Sequence, residues 1–351
     1  MNWEGLEFIR VPANGISFEV ATMGAGDRLA LCLHGFPEHA ISWRHQMPLL
    51  AKLGYRVWAP NLRGYGATDS PQEISAYRTK TLVEDVAALI QAANAKEILL
   101  IAHDWGGALA WILAMRRPEL IHRLAILNVP HPACFARELH RFHQLRKSWY
   151  MFFFQIPALP EYLLGRDHAR MIGRMFRSGA RNRSRFPDDV LQIYRDNATR
   201  PGGLTAMLNW YRAFFQGRKS GQGSAAGGFP KITTPTLFLW GDADVALDFR
   251  TPRAPKTTSP TLPSASCPAS PTGFNKKPPK PSTPCSKPGS PAPPSPNIKS
   301  SSLLVTSPSR PNFYATAFFC QPPVIAPITR NPKTAQPASI TTSASGCISK
   351  T

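Results

Sequence analysis

The chain has 351 residues, 36 of them Pro, and a formal net charge of +20. Residues 1–250 hold 14 Pro, 30 Lys+Arg and 21 Asp+Glu, whereas residues 251–351 hold 22 Pro, 30 Ser+Thr, 11 Lys+Arg and no Asp, Glu or His. This split of +9 and +11 excludes an evenly basic protein and a single 351-residue domain: the first part has globular composition and length for a sizeable core, while the second has the bias of a segment that cannot bury enough apolar surface to offset its ordering entropy.

Met1-Asn2-Trp3-Glu4 offers neither the basic nor the apolar region of a leader. Ile16–Val20 alternates apolar and polar residues, Leu29–Leu33 is an apolar run ending at His34-Gly35, and Arg56–Ala59 is a short strand closed by Pro60. Leu82, Val86, Leu89 and Ile90 give Thr81–Ala93 a helical spacing. Ile98–Ala102 reads as a strand buried on both faces. It runs into His103-Asp104-Trp105-Gly106-Gly107 and a helix to about Arg117, and Leu124–Val129 is the next strand. Alternating strands and helices predict an α/β fold with a largely parallel sheet.

Residues 131–228 change character: they are rich in Arg and aromatics and read as helical, and Pro235–Trp240 restores a strand. The expected organisation is a core over 1–130, a helical cap over 131–228, a returning core strand over 229–250 and a low-complexity tail over 251–351. The most apolar run, Trp149–Leu164, is interrupted by Gln155, Pro157, Pro160 and Glu161 and is too short for a bilayer. The six Cys show no CxxC or metal-ligand spacing, and Cys32 and Cys134 read as reduced thiols of a cytoplasmic protein.

Ala102-His103-Asp104-Trp105-Gly106 has the form small-x-nucleophile-x-small between a buried strand and a helix, the pattern of a nucleophile elbow with Asp in place of Ser. A carboxylate nucleophile suits attack on an sp3 carbon, which gives an alkyl ester. On its own, Asp104 reads equally well as a helix cap.

The surrounding motifs weigh toward the first reading. His34-Gly35-Phe36-Pro37-Glu38 resembles the HGxP segment of the epoxide hydrolase family of α/β-hydrolases. Asn61-Leu62-Arg63-Gly64-Tyr65-Gly66 resembles its DLRGYG segment with Asn for Asp, and His103–Gly107 resembles its Asp elbow. Tyr150–Gln155 and Leu208–Arg212 are similar to the two segments that carry the ring-opening tyrosines, and Trp240–Asp244 to the one that carries the triad acid. These six matches run in family order over residues 34–244.

The resemblance implies an α/β-hydrolase fold with a helical cap, hydrolysis of an epoxide to a vicinal diol, and no cofactor or metal. Asp104 would attack the epoxide carbon, and Tyr150 and Tyr211 would stabilise the developing alkoxide. The Phe36 and Trp105 N–H groups would form the oxyanion hole, and Asp244 would orient a general-base His. Asp242 is the other candidate for the acid. His34 reads as a structural residue of its loop, and Tyr162 and Tyr194 as packing. The implied partner is a small apolar epoxide, with neither nucleic acid nor membrane; oligomeric state is not legible. Haloalkane dehalogenase shares the Asp nucleophile and Trp105 but does not need two cap tyrosines. Seven Arg between 166 and 185 read as a solvated surface or a phosphate-binding strip.

The family's catalytic His would follow Asp244, yet the last of the nine His is His168, and no final core strand or helix is legible in the tail. Reading each tail codon from the third base of the preceding one offers an account. Asn275 and Lys276 follow codons ending in T or C, so each becomes Gln or a stop, and Thr272 permits His. Residues 267–286 then permit LPGVTHWVQQEAPEAVNALL, which resembles the family's catalytic-His segment. The tail is therefore expected to be out of frame from about residues 248–256, leaving a hydrolase without turnover. The competing reading is a disordered basic arm for nucleic acid or an acidic partner, for which 11 Lys/Arg over 101 residues is a weak footprint.

Overall fold

A computed structural model describes residues 5–138, 142–180, 182–219, 229–241 and 264–266. Eight strands form one sheet: β1 (Glu7–Ala13), β2 (Ile16–Met23), β3 (Arg28–Leu33), β4 (Arg56–Pro60), β5 (Glu97–His103), β6 (Arg123–Leu127), β7 (Thr236–Trp240) and β8 (Ser264–Ser266). Their spatial order is β1-β2-β4-β3-β5-β6-β7-β8. The pairs β1–β2 and β2–β4 are antiparallel and the remaining five are parallel. All described residues lie in one unit, Met1–Gln321, and the second unit, Pro322–Thr351, falls outside them.

The two faces of the sheet explain the apolar runs. Leu29, Leu31 and Leu33 of β3, with Ile98, Leu100 and Ala102 of β5, enter the larger core. Ala30 and Cys32, with the half-buried Leu99 and Ile101, pack on the other face against Trp43 and Met47. A strand covered on both sides has no position where water rewards a polar side chain, and each fully buried Leu contributes roughly 1.5–3 kcal/mol. Helix α1 (Met47–Lys52) contributes to the second face. On the first, α2 (Thr79–Ala93) buries Leu82, Val83, Val86, Leu89 and Ile90, the stripe its spacing predicts, and ends at Asn94 in the left-handed region, with φ 45°. The next helix, α3 (Asp104–Arg116), buries Leu109, Trp111 and Leu113.

Between β6 and β7 the described residues are helical: α4 (Pro132–Glu138), α5 (Phe142–Lys147), α6 (Trp149–Phe153), α7 (Leu159–Gly179), α8 (Asp188–Thr199) and α9 (Gly203–Lys219). Helix α7 is broken at Arg166–Ala169, where Asp167, His168 and Ala169 take φ of 52–53°. Arg166, Arg170, Arg174 and Arg183 are exposed, as expected of a solvated surface. Among the described residues no helix is long and apolar enough to cross a membrane.

Three local expectations change. Strand β6 stops at Leu127 because Asn128 adopts φ 53°, which takes the backbone out of the extended region. The sequence shows no strand for β1, whose exposed Glu7 and Arg10 hide its pattern. And where the tail was expected to supply no core strand, Ser264–Ser266 pairs with Phe238–Trp240; three backbone positions added to an open sheet edge need no particular side chains.

Candidate active site

The turn from β5 into α3 carries Asp104. His103 is extended and Asp104 has φ 50°, a strained conformation for a residue with a side chain. The turn is closed from below: a Cβ on Gly106 would lie 2.6 Å from Leu33 Cβ and 2.7 Å from the Leu33 and His34 carbonyl oxygens. Ala102 is fully buried, so the small residues at both flanks of the turn have a steric cause.

Asp104 is the first residue of α3 and not its cap. His103 is the cap of α3 and makes no side-chain capping bond. Instead Asp104 Oδ1 accepts the Phe36 N–H at 2.8 Å from a loop 68 residues away. Burial pushes the Asp104 carboxyl up, while His103 and the Phe36 and Trp105 N–H groups act against that rise. Those two N–H groups are the pair the sequence marks for an oxyanion hole. The loop that brings Phe36 here contains Gly35, whose missing Cβ leaves space for the Asp104 side chain, and the cis Phe36-Pro37 peptide.

Aromatic rings from the helical segment converge on this point. The Tyr211 ring of α9 is buried and lies 5.3 Å from that of Phe36 and 5.1 Å from that of Trp105, both edge-to-face. The Tyr150 ring of α6 lies 6.0 Å from Tyr211 and 5.6 Å from Phe154. Burial, Tyr150 and Asp104 push the Tyr211 hydroxyl well above its usual range, so it stays a proton donor. Asp104, Phe36, Trp105, Tyr150 and Tyr211 are therefore brought together. Asp244 and Asp242 lie outside the described residues.

The supporting histidines differ in kind. His34 is fully buried; its Nδ1 donates to the Gly35 carbonyl at 2.9 Å and its Nε2 accepts the Leu62 N–H at 3.1 Å. Burial takes its pKa down to about 4, so it is a neutral strut between two loops. His103 faces Glu38, with Nδ1 to Oε1 at 3.4 Å. Tyr194 is buried and stacks on Phe176 at 4.0 Å, whereas Tyr162 is exposed, with Arg166 over its ring.

Three partners are not legible as site residues in the sequence. Glu38 is a buried carboxylate inside a quoted motif, but nothing local shows its partner. Tyr65 presses its ring edge on His34 at 4.8 Å, and burial and Asp104 push its hydroxyl well up. Asn197 of α8 donates to the Glu38 carbonyl at 2.9 Å and accepts the Gly66 N–H at 2.7 Å. A cleft of about 520 Å³ lined by residues such as Glu161, His168, Arg200 and Thr205 contains none of the catalytic candidates. Among the described residues no group of three His, Cys, Asp or Glu could hold a metal ion.

Residues 31–259 match the family model for the alpha/beta hydrolase fold. The chain is 37% identical over 243 residues to the AB hydrolase superfamily protein YfhM of Bacillus subtilis, covering 69% of this chain and 82% of that one. It is 35% identical over 248 residues to epoxide hydrolase 4 of Mus musculus, covering 69% and 67%. It spans 60–67% of the length of the animal epoxide hydrolases it matches. The crystal structure of epoxide hydrolase A from Mycobacterium thermoresistibile superposes with a TM-score of 0.60 at 33% identity, covering 71% of this chain and 86% of that one. The chain belongs to the epoxide hydrolase family of the α/β-hydrolase fold, and is by that membership a hydrolase.

Proposed function

We propose that this chain opens small apolar epoxides through an ester on Asp104 and, as encoded, does not release the diol catalytically. One observation carries the first half: the Asp104 carboxylate rests on the Phe36 and Trp105 N–H groups, the Tyr211 ring packs on Trp105, and the Tyr150 ring packs on Tyr211. The carboxylate oxygen would form a bond to an epoxide carbon as the carbon–oxygen bond of the ring breaks. The departing alkoxide would take its proton from Tyr211 or Tyr150, leaving a hydroxyalkyl ester.

The helical segment over 131–228 then serves as the cap, with Met151, Phe154 and Trp210 as apolar lining, and 229–250 as the return that delivers Asp244. The two phenols, Tyr211 and its neighbour Tyr150, favour an epoxide over a haloalkane, whose leaving halide needs no proton. The free, buried Cys32 supports a cytoplasmic setting.

The second half rests on the absence of any His after residue 168. Ester hydrolysis needs water deprotonated next to the ester carbonyl; Asp244 without its His has nothing to orient. The frame reading of the tail accounts for the loss. The full chain incubated with styrene oxide is expected to gain one covalent adduct, mapped to Asp104 by peptide mass spectrometry and absent in Asp104→Asn. Diol release at many equivalents per chain would refute the absence of turnover, and an unlabelled Asp104 would refute the ester.

A further inference from the structure

The outer side of the helical layer has a surface that the chemistry above leaves unused. Residues 131–228 hold 16 Lys+Arg and 6 Asp+Glu, whereas residues 1–130 hold 12 of each. The positive charge of the globular part therefore belongs to the helices. The same layer presents apolar side chains to water. Trp149 of α6 is 51% exposed and Tyr162 of α7 64%, and Phe152, Ile156 and Leu159 between them are exposed as well. Ile156, Pro157, Ala158 and Leu159 are four consecutive exposed apolar residues, a run that a solvated surface avoids unless it has a use.

This run is held in a fixed shape. Ala158 takes φ 60°, a strained value for a residue with a side chain. Arg212 of α9 grips the backbone leading into it. Its Nε donates to the Phe154 carbonyl at 3.1 Å and its Nη2 to the Ile156 carbonyl at 3.3 Å, while Nη1 pairs with Glu161 at 2.7 Å. The Phe152 ring packs on Phe215 of α9 at 5.3 Å. Cations stand at the margin. Arg146 is exposed beside the exposed Leu145, the Arg166 guanidinium lies 5.6 Å over the Tyr162 ring, and Arg218 is exposed one turn beyond Phe215. Of the acids in this stretch, Glu161 is taken by Arg212, and the exposed Asp167 adjoins Arg166.

We propose that this face docks on an anionic lipid bilayer, with Trp149, Phe152, Ile156 and Leu159 entering the boundary between headgroups and acyl chains and Arg146, Arg166 and Arg218 meeting the lipid phosphates. The sequence expectation of no membrane partner rests on the want of a span, and a surface contact needs none. Docking of this kind is independent of what Asp104 does.

Charge selects the occupant. A second copy of this chain seated face to face would set +10 against +10, because a two-fold contact places the same patch on both sides. Residues 251–351, with 11 Lys+Arg and no acid, are repelled in the same way. An anionic surface is attracted, each Lys or Arg close to it strengthening binding roughly five-fold. Composition favours lipid over an acidic protein: Trp149 and Tyr162 flank the aliphatic Ile156 and Leu159 in sequence, and a headgroup boundary favours aromatic rings at the edge of apolar groups.

Trp149 is a built-in probe, being the exposed tryptophan among the described residues, and residues 251–351 contain none. The full chain is mixed with phosphatidylcholine vesicles, with and without phosphatidylglycerol, carrying lipids brominated high on the acyl chain. Co-sedimentation with the anionic vesicles is expected, weakened by salt, with quenching of tryptophan emission that vanishes in Trp149→Phe. The pair Ile156→Ser with Leu159→Ser should weaken binding about 10-fold, and Arg166→Gln about five-fold, with urea midpoints near that of the parent. No association with anionic vesicles, which would leave an acidic protein as the occupant, or equal association with phosphatidylcholine alone, would overturn the proposal. Association that leaves Trp149 unquenched and is indifferent to the Ile156 and Leu159 changes would assign the attachment to the basic tail and overturn it too. So would a dimer that binds no vesicles and that those two changes dissolve, which would give the face to a second copy.

Discussion

Gly35 lies directly against the side chain of Asp104: a Cβ on residue 35 would overlap the Asp104 Cβ and Oδ1. The Phe36 N–H reaches the carboxylate because residue 35 has no side chain. Gly35→Ala is expected to displace Asp104 from its donors and slow adduct formation about 10²-fold, the cost of misplacing a reacting group by roughly 1 Å. The rate of mass gain at one pH, with near-UV circular dichroism as a check on folding, measures it.

Tyr211 is buried and Tyr150 half-buried, and both lose only a hydroxyl on change to Phe. Each Tyr→Phe variant should label roughly 10- to 10³-fold more slowly than the parent, in the range of one lost donor to a developing oxyanion. Urea midpoints should stay near that of the parent. A Tyr→Phe variant that labels as fast as the parent would show that only the other phenol donates.

Arg63 and Asp85 form a buried two-bond ion pair, Nε to Oδ2 at 2.7 Å and Nη2 to Oδ1 at 2.6 Å, with side-chain exposures of 6% and 4%. Arg63→Met would strand the carboxylate, whose pKa burial already raises against the pull of Arg63. A loss of roughly 3–5 kcal/mol in urea unfolding is expected. Arg63→Met with Asp85→Leu should recover most of it.

His34 and His39 are buried neutral, with pKa values taken down by burial to about 4 and about 3 from 6.5. Their folded values are depressed, so between pH 6.5 and about 4 the unfolded chain binds protons that the folded one does not. Stability is then complete above pH 6.5 and falls as the solution is acidified, by up to about 1.4 kcal/mol per pH unit for each residue. Unfolding midpoints from pH 7 to 4 should show this slope, and His39→Gln should flatten it.

The gene itself tests the tail. Codons for residues 267–286 read from the preceding third base should give His-Trp-Val-Gln-Gln, and a frame-restored chain should release diol over many cycles. A nucleotide sequence that forbids this reading removes the frame account.

The sheet was legible wherever burial on both faces suppresses polar residues, as in Leu29–Leu33 and Ile98–Ala102. It was illegible at β1, where Glu7 and Arg10 face water, and at Asn128, whose backbone turn carries no compositional mark. Phe36, Trp105, Tyr150 and Tyr211 could be found because each sits in a short motif. Glu38 and His103 could be quoted but not paired, since their 65-residue separation closes only when β3 and β5 lie side by side. Asn197 had no signal, because its two partners lie 159 and 131 residues away.

That one amide has a mechanical consequence. By holding the Glu38 carbonyl and the Gly66 N–H at once, Asn197 rivets α8 to the two loops that carry Glu38 and Gly66. An outward swing of α8 would therefore have to break both bonds or carry with it the loop whose Phe36 N–H reaches Asp104. The position of α8 is in this way tied to the loop geometry around Asp104 rather than to the helices beside it alone.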